Sequence, residues 1–300
     1  MCCIILHRMT TLNTANAMAK QVNLFTETLK TYWFAPPVAL WRAVELRTAA
    51  RERYVPPLLD LGCGDGLVAR LLFGVCVDGG GVMVDVGCDP WPEQLRKAAR
   101  AGVYRHVDMA EGSHLPYPDA AFATVFCNSV LEHIPNVEPV LREVRRVLRA
   151  DGRFIFTVPS DAFRVLLDGY VRRWENGDRC GAESYATAVD AWLEHHHYHT
   201  PEEWAEILRS AGLEQLLAHY YMPASAVRLW ERMNSRFGLM GRRSLWRWLA
   251  SPHLRMLGYQ AVLKHLIAWL LDRRWRSYYE MDVPDGEKGG GLLIVARPGN

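Results

Sequence analysis

The chain has 300 residues, half of them hydrophobic, so it is long enough to bury a sizeable core in one large or two small domains. Its formal net charge of +2 argues against a protein that binds nucleic acid over its whole surface. The seven cysteines form no CxxC pair and show no His/Cys ligand spacing, which favours reduced thiols in a cytoplasmic enzyme over a disulfide framework or a zinc site.

The N-terminal part predicts helices after an irregular start. Residues 1–22 carry little pattern and are predicted to be a disordered extension. Residues 23–53 predict two helices, broken at residues 35–37 (APP), because aromatic and aliphatic residues recur there at near-helical spacing. These aromatic residues either dock the helices on the rest of the fold or cover a binding pocket. No apolar stretch of the chain reaches transmembrane length, so we expect a cytoplasmic protein.

Strand and helix patterns then alternate, which is typical of a parallel sheet with right-handed crossovers. Thr200, Pro201 and Glu203 predict a helix start with a capping box, and this helix is predicted to end at Gly212. The predicted strands are 56–61, 82–88, 104–108, 122–128, 152–158, 213–221 and 291–297, and the other predicted helices of this region are 65–73, 92–101 and 137–149.

The segment 58–66 (LLDLGCGDG) is the most informative stretch of the chain. It predicts a buried strand that stops in a glycine-rich turn, where a ligand approaches the backbone without meeting a Cβ atom. Asp60 at the strand end repels a phosphate and attracts a cation. This acidic residue, and the lack of a third glycine at the usual position, disfavour a dinucleotide-binding oxidoreductase.

Five segments together resemble the class I S-adenosylmethionine (SAM)-dependent methyltransferases. The glycine-rich turn is similar to the first motif of that family, and the segments that follow it resemble later motifs in the same order. These are 81–89 (GVMVDVGCD), 114–122 (HLPYPDAAF), 129–134 (SVLEHI) and 141–152 (LREVRRVLRADG). The resemblance implies a Rossmann-like α/β fold with a seven-stranded sheet, helices on both faces, and a seventh strand that lies antiparallel between strands five and six.

The strand ends supply the candidate cofactor residues, because ligands of open α/β sheets lie outside the carboxyl ends of the strands. Asp89 ends the second strand, where it either binds the ribose hydroxyls or caps the helix that follows Pro90. The resemblance implies a contact of Glu111 with adenine and of Asn128 with the methionine part. The methionine part is also expected to meet the first strand end and its turn, at Asp60, Gly62, Gly64 and Gly66.

The acceptor side is less defined. His133 follows the fourth strand and is either a general base or a residue that supports its loop. By resemblance, the histidine-rich turn 195–199 lies at the pocket rim, which makes His197 and His199 substrate-side residues. The N-terminal helices would cover the pocket and add Tyr32 and Trp33. Consecutive histidines do not face one way in a helix or strand, and no partner motif is visible, so no metal site is predicted.

Residues 224–288 predict a basic, tryptophan-rich helical insertion between strands six and seven, inside a methyltransferase domain of residues 23–223 and 289–300. Three interpretations stay open: a helical cap with a solvated arginine face, a peripheral contact of 224–280 with a membrane or lipid-like acceptor, and RNA binding. Near-zero net charge and the lack of an RNA-binding motif disfavour nucleic acid. We expect methyl transfer from SAM to a small-molecule or lipid-like acceptor; the alternative is a non-catalytic protein of the same fold that regulates a partner.

Overall fold

The computed structural model describes residues 24–76, 81–237 and 258–299, together with Trp248 and Ser251. Its centre is a seven-stranded sheet of order β3-β2-β1-β4-β5-β7-β6. Strands β1 to β5 pair in parallel, and β7 lies antiparallel between β5 and β6. The strands are β1 (Leu58–Leu61), β2 (Val84–Asp89), β3 (Tyr104–Met109), β4 (Phe122–Asn128), β5 (Leu148–Pro159), β6 (Leu213–Tyr221) and β7 (Gly291–Pro298). The predicted fold class is confirmed.

Helices cover both faces of this sheet. Successive strand residues point to opposite faces, so Phe126 and Ile155 lie in one core while Val125 and Phe154 lie in the other. The helices are α1 (24–31), α2 (Pro36–Ala49), α3 (Leu67–Leu71), α4 (Pro92–Ala98), α5 (Glu138–Val147), α6 (Phe163–Leu166), α7 (Asp168–Glu175), α8 (Arg179–Leu193), α9 (Pro201–Ser210), α10 (Ala224–Arg236) and α11 (Tyr259–Glu280). Helices α5 and α9 contribute to one core, and α1, α2, α3 and α10 contribute to the other.

The start of α9 follows the sequence prediction. The Thr200 side chain accepts a hydrogen bond from the Glu203 backbone N–H, and the Glu203 side chain accepts one from the Thr200 backbone N–H. This capping box satisfies two backbone donors that have no partner within the helix. It therefore fixes where the histidine-rich segment ends and the helix begins.

The predicted insertion contains α10 and α11, which both pack against α2. Trp230 and Trp275 are buried, whereas Trp269 is exposed and lies under the Arg273 guanidinium. Arg242, Arg243, Arg247 and Trp246 of the basic stretch, like the predicted extension 1–22, lie outside the described residues. The domain boundaries stay predictions. Within the described part of the chain, no helix combines the length and the apolar character that a membrane crossing requires.

Candidate functional site

The glycine-rich turn after β1 is built from three glycines with positive φ: Gly62 (+74°), Gly64 (+53°) and Gly66 (+77°). Their surroundings differ. A Cβ atom on Gly62 would lie 2.5 Å from a methyl carbon of Val130, and one on Gly66 would lie 3.0 Å from the Ala101 Cβ atom. A Cβ atom on Gly64 would meet nothing within 4 Å. Gly62 and Gly66 are therefore required for packing, whereas Gly64 faces open space.

Asp89 connects this turn to the end of β2. Its side chain is 7 % exposed; Oδ2 accepts a hydrogen bond from the Gly64 N–H at 3.0 Å, and Oδ1 accepts one from the Trp91 N–H at 2.9 Å. Helix α4 begins after Trp91 without a side-chain cap, so Asp89 is not its N-cap residue. Because each carboxylate oxygen accepts more than one hydrogen bond, Asp89 has acceptor capacity left for a ligand.

A cleft of about 850 Å³ lies at the carboxyl ends of β1 to β4. It brings together four of the predicted site residues, Gly62, Asp89, Glu111 and His133. Its volume is within the range of small-molecule and cofactor sites. Asp60, Gly64, Gly66 and Asn128 lie next to the cleft, in the turn or at the strand ends, and do not form its lining.

Asp60 lies behind the turn as a buried carboxyl group. It accepts a hydrogen bond from the Tyr104 hydroxyl at 2.6 Å. Burial raises the pKa of Asp60 to about 7; the Tyr104 hydrogen bond lowers this pKa, and the nearby Asp89 charge raises it. A cation near the turn would favour the ionised form of Asp60.

Asn128, at the end of β4, belongs to a polar network that reaches helix α2. Arg42 Nη1 donates to Glu45 Oε2 at 2.6 Å, to Asn128 Oδ1 at 3.0 Å and to Ser129 Oγ at 2.9 Å. Glu45 Oε1 accepts from Ser129 Oγ and from the Tyr221 hydroxyl. Burial opposes ionisation of Glu45, yet the Arg42 charge and the hydrogen bonds hold the pKa of Glu45 below its ordinary value. Helix α2 is therefore attached to β4 and β6 by the buried Glu45 and the partly buried Arg42.

A smaller cavity of about 170 Å³ adjoins the cleft, with which it shares Ser129 and His133. Its aromatic wall is formed by Trp41 of α2, Phe163 of α6 and Trp230 of α10, whose ring centroids are 5.5–5.8 Å apart. Its polar lining consists of Arg42, Ser129, Glu132, His133 and His195. The cavity combines an apolar aromatic wall with groups that bind or transfer protons.

Glu132, His133 and His195 form the polar end of this cavity. Glu132 is 2 % exposed, and its Oε2 atom has no hydrogen-bond partner among the described residues. His133 Nε2 lies 3.9 Å from Glu132 Oε1. Burial raises the pKa of Glu132 to about 8 and lowers the pKa of His195 to about 3. At neutral pH the charged forms of both side chains are therefore disfavoured.

The four predicted substrate-side residues line neither the cleft nor the cavity. His197 and His199 stack on each other, and His197 Nε2 lies 3.0 Å from the Ile134 carbonyl oxygen. Tyr32 is buried in the core, and Trp33 is half-buried. Their substrate-side roles stay predictions.

The sequence analysis did not single out several residues of the cavity. Two of them had a signal, because Glu132 precedes the predicted His133 and His195 opens the histidine run. Trp41 belongs to the aromatic pattern of the N-terminal helices, for which the pocket-covering interpretation was open. Phe163 had no such signal. Trp230 had one only as part of the tryptophan-rich insertion, for which contact with a lipid-like acceptor was an open interpretation. The two residues come from distant segments that meet only in the fold.

Residues 59–156 match a protein family described as a methyltransferase domain. The 27-O-demethylrifamycin SV methyltransferase of Amycolatopsis mediterranei is 35 % identical over 115 residues, which cover 35 % of this chain and 40 % of that protein. The ubiquinone/menaquinone biosynthesis C-methyltransferase UbiE of Rhodopseudomonas palustris is 27 % identical over 196 residues, which cover 59 % of this chain and 74 % of that protein. The chain thus spans less than half of the rifamycin enzyme's length and about three quarters of UbiE.

Solved structures agree on the fold. A SAM-dependent methyltransferase of Thermotoga maritima is 13 % identical with a TM-score of 0.51, over 92 % of this chain and 99 % of that one. The [4+2]-cyclase SpnF is 19 % identical with a TM-score of 0.50, over 85 % of this chain and 81 % of that one. At these identities the likeness shows the fold and leaves the activity open. The predicted resemblance agrees with the match of residues 59–156 to a methyltransferase domain, and the predicted Rossmann-like architecture is confirmed.

Proposed function

We propose that this protein is a SAM-dependent methyltransferase that acts on a small, largely apolar acceptor. One observation carries the proposal: the cleft that contains Gly62 and Asp89 adjoins a separate aromatic cavity, and the two share Ser129 and His133. A methyl transfer requires two such compartments, because donor and acceptor must meet in line at one point. The family match over residues 59–156 supports the same activity.

The residues of the cleft fit SAM. Asp89 has acceptor capacity for two ribose hydroxyls, Glu111 lines the same cleft beyond it, and Gly64 leaves open space beside the Asp89 carboxylate. Asp60 would provide negative charge near a cationic ligand. When bound, SAM supplies a methyl group on a sulfonium sulfur and leaves as the neutral thioether S-adenosylhomocysteine, while the acceptor gains the methyl group and gives up one proton.

The residues of the cavity position the acceptor. The three aromatic rings, which are inclined to one another by 57–83°, form an apolar wall, and the cavity volume suits one ring or a short chain and not a large molecule. Correct placement of two reactants contributes on the order of 7–11 kcal/mol to lowering a barrier. Ser129 and His133 mark the junction of the compartments, so the accepting atom would lie beside them.

His133 is suited to receive the acceptor proton. The Glu194 carbonyl oxygen, 3.1 Å from His133 Nδ1, only accepts hydrogen bonds, so Nδ1 carries the ring proton. The lone pair is then on Nε2, which is the atom nearest to Glu132. This tautomer supports the predicted role of His133 as a general base.

A lipid-like acceptor is the second candidate. Val262, Leu266 and Trp269 of α11 are 72 %, 49 % and 55 % exposed, and their spacing places them on one face of the helix. If this face contacts a membrane surface, the protein should co-sediment with liposomes, and Trp269→Ala should weaken co-sedimentation without changing SAM affinity. Equal sedimentation with and without liposomes would leave only the small-molecule acceptor.

Calorimetry with SAM and with NADH tests the proposal. We expect one equivalent of SAM to bind and NADH not to bind. Release of S-adenosylhomocysteine is then measured with a panel of phenols, amines and aromatic acids. Binding of NADH alone would support an oxidoreductase, and SAM binding without turnover of any panel member would support the non-catalytic alternative.

A further inference from the structure

Three side chains at the polar end of the acceptor cavity converge in a way that the proposed methyl transfer does not require. One carboxylate oxygen of Glu132 and one ring nitrogen each of His133 and His195 lie within 4.8 Å of one another. No other such group of three His, Cys, Asp or Glu occurs among the residues that the structure describes. The backbone holds the two segments together, since the His196 N–H donates to the Glu132 carbonyl oxygen at 2.9 Å.

Both imidazole rings are oriented by partners on their Nδ1 atoms. His133 Nδ1 lies 3.1 Å from the Glu194 carbonyl oxygen, and His195 Nδ1 lies 3.0 Å from the Tyr198 hydroxyl. The Tyr198 hydroxyl donates its own proton to Asp190 at 2.6 Å, so it accepts from His195. Both rings therefore keep their protons on Nδ1 and present the Nε2 lone pair, as histidines that bind metals do when a second group holds the other nitrogen.

Glu132 completes the set. It is 2 % exposed, and its Oε2 atom is buried without a hydrogen-bond partner among the described residues. A buried oxygen of this kind is unfavourable unless a donor or a cation compensates it. All three side chains line the acceptor cavity, so anything bound between them also faces the acceptor.

We propose that Glu132, His133 and His195 bind one divalent transition-metal ion at the polar end of the acceptor cavity. Two imidazoles and one carboxylate suit Zn²⁺, Mn²⁺ or Fe²⁺ and leave coordination positions open. Ligand atoms around such an ion lie roughly 3.3 Å apart. The three candidate ligand atoms lie within 4.8 Å of one another, so side-chain rotations that shorten their separations by about 1.5 Å or less would bring them into range. This proposal departs from the sequence-based expectation that the histidine segment takes part in no metal site.

The metal assigns a class of acceptor, an inference that rests on the proposed methyltransferase function. An ion facing the cavity would bind the oxygen atom of the acceptor and lower the pKa of the acceptor's hydroxyl group, whose proton would then leave to solvent. With the ion bound, the Nε2 lone pair of His133 is a metal ligand, so the general-base role of His133 applies only to the metal-free protein. The acceptor would accordingly be a phenol or an enol whose oxygen bonds to the metal and whose apolar body lies against Trp41, Phe163 and Trp230. An amine or a carbon nucleophile gains less from this arrangement.

Direct metal binding tests the site. Untagged protein is stripped with a chelator and titrated with Zn²⁺ and with Mn²⁺ by calorimetry, with and without SAM. We expect one equivalent to bind, at least tenfold weaker binding in the near-isosteric Glu132→Gln and in His195→Ala, and a loss of 10- to 100-fold in Tyr198→Phe, which removes the partner of His195 Nδ1. Circular dichroism checks that each variant is folded.

His196→Ala is the matched control, because His196 is the exposed neighbour of His195 and contributes only its backbone N–H. Its metal affinity should equal that of the wild type. No stoichiometric binding, or equal affinity in His195→Ala and His196→Ala, would overturn the metal site. Metal binding without SAM binding would instead refute the proposed function and leave the site standing.

Discussion

Gly64 provides the sharpest test of the cofactor site, because its surroundings separate a binding effect from a packing effect. A methyl group at Gly64 meets no protein atom within 4 Å, so Gly64→Ala creates no clash in the free protein. The remaining cost is the positive φ of +53°, which is unfavourable for a side chain by about 1–2 kcal/mol. The melting temperature should then fall by roughly 2–8 °C.

The same Gly64→Ala substitution should have a clear effect on SAM affinity. If SAM passes beside the turn, the added methyl group occupies part of its space, and we expect at least a tenfold loss of affinity, or about 1.4 kcal/mol. Gly102→Ala is the matched control, since Gly102 has a φ of +72°, open space around its Cβ position, and a location at the amino end of β3. It should lower stability by a similar amount and leave SAM affinity unchanged.

Thermal unfolding and calorimetry of both variants complete the experiment. Gly66→Ala is a reference for a packing effect. Its added methyl group would lie 3.0 Å from side-chain atoms of Ala101 and Tyr104, so stability should fall most in this variant. Equal SAM affinity in folded Gly64→Ala and Gly102→Ala would show that the ligand does not approach Gly64, and the placement of SAM at the turn would be wrong.

Three further predictions concern other parts of the site. Asp89→Ala should weaken SAM binding at least tenfold, because charged hydrogen-bond partners contribute about 1.5–3 kcal/mol each; unchanged affinity in calorimetry would contradict the ribose assignment. Burial raises the pKa of Asp60 to about 7, so the carboxyl group is increasingly neutral below that pH, and SAM affinity should fall about tenfold from pH 8 to pH 6. The raised pKa of Asp60 also means that its contribution to the free energy of unfolding declines as pH rises from about 4 through 7, and Asp60→Asn should remove both pH effects. Trp230→Ala should enlarge the acceptor cavity and change which panel compounds are methylated at unchanged SAM affinity; an unchanged acceptor profile would remove α10 from the site.

The sheet was predictable because its signals are local. Apolar runs and glycines indicated all seven strands, although β5 begins at Leu148, four residues before the predicted 152. Helices α6, α7 and α8, which lie between residues 160 and 194, were not predicted. Helix α8 buries mainly Ala182, Ala186 and Val189, and such small residues give a weak helical pattern even at the right spacing.

The cofactor side was predictable for the same reason. Asp89 ends a strand, and Gly62, Glu111 and His133 each follow one. Parallel strands bring their carboxyl ends to one edge of the sheet, so these four residues lie together in the cleft. The acceptor cavity follows no such rule. Its wall depends on which side chains from α2, α6 and α10 meet, and no spacing along the chain encodes that meeting.

Helix α2 connects the two halves of the site. Trp41 forms part of the cavity wall, and the next residue, Arg42, bonds to Asn128 and Ser129 at the end of β4, beside the cleft. Glu45, one turn later, holds Arg42 by a partly buried ion pair, and loss of Arg42 would leave the buried Glu45 charge unpaired. A movement of α2 that opened the acceptor cavity would therefore also break contacts beside the cofactor cleft. If the cleft and the cavity hold cofactor and acceptor as we propose, helix α2 couples acceptor entry to the cofactor side.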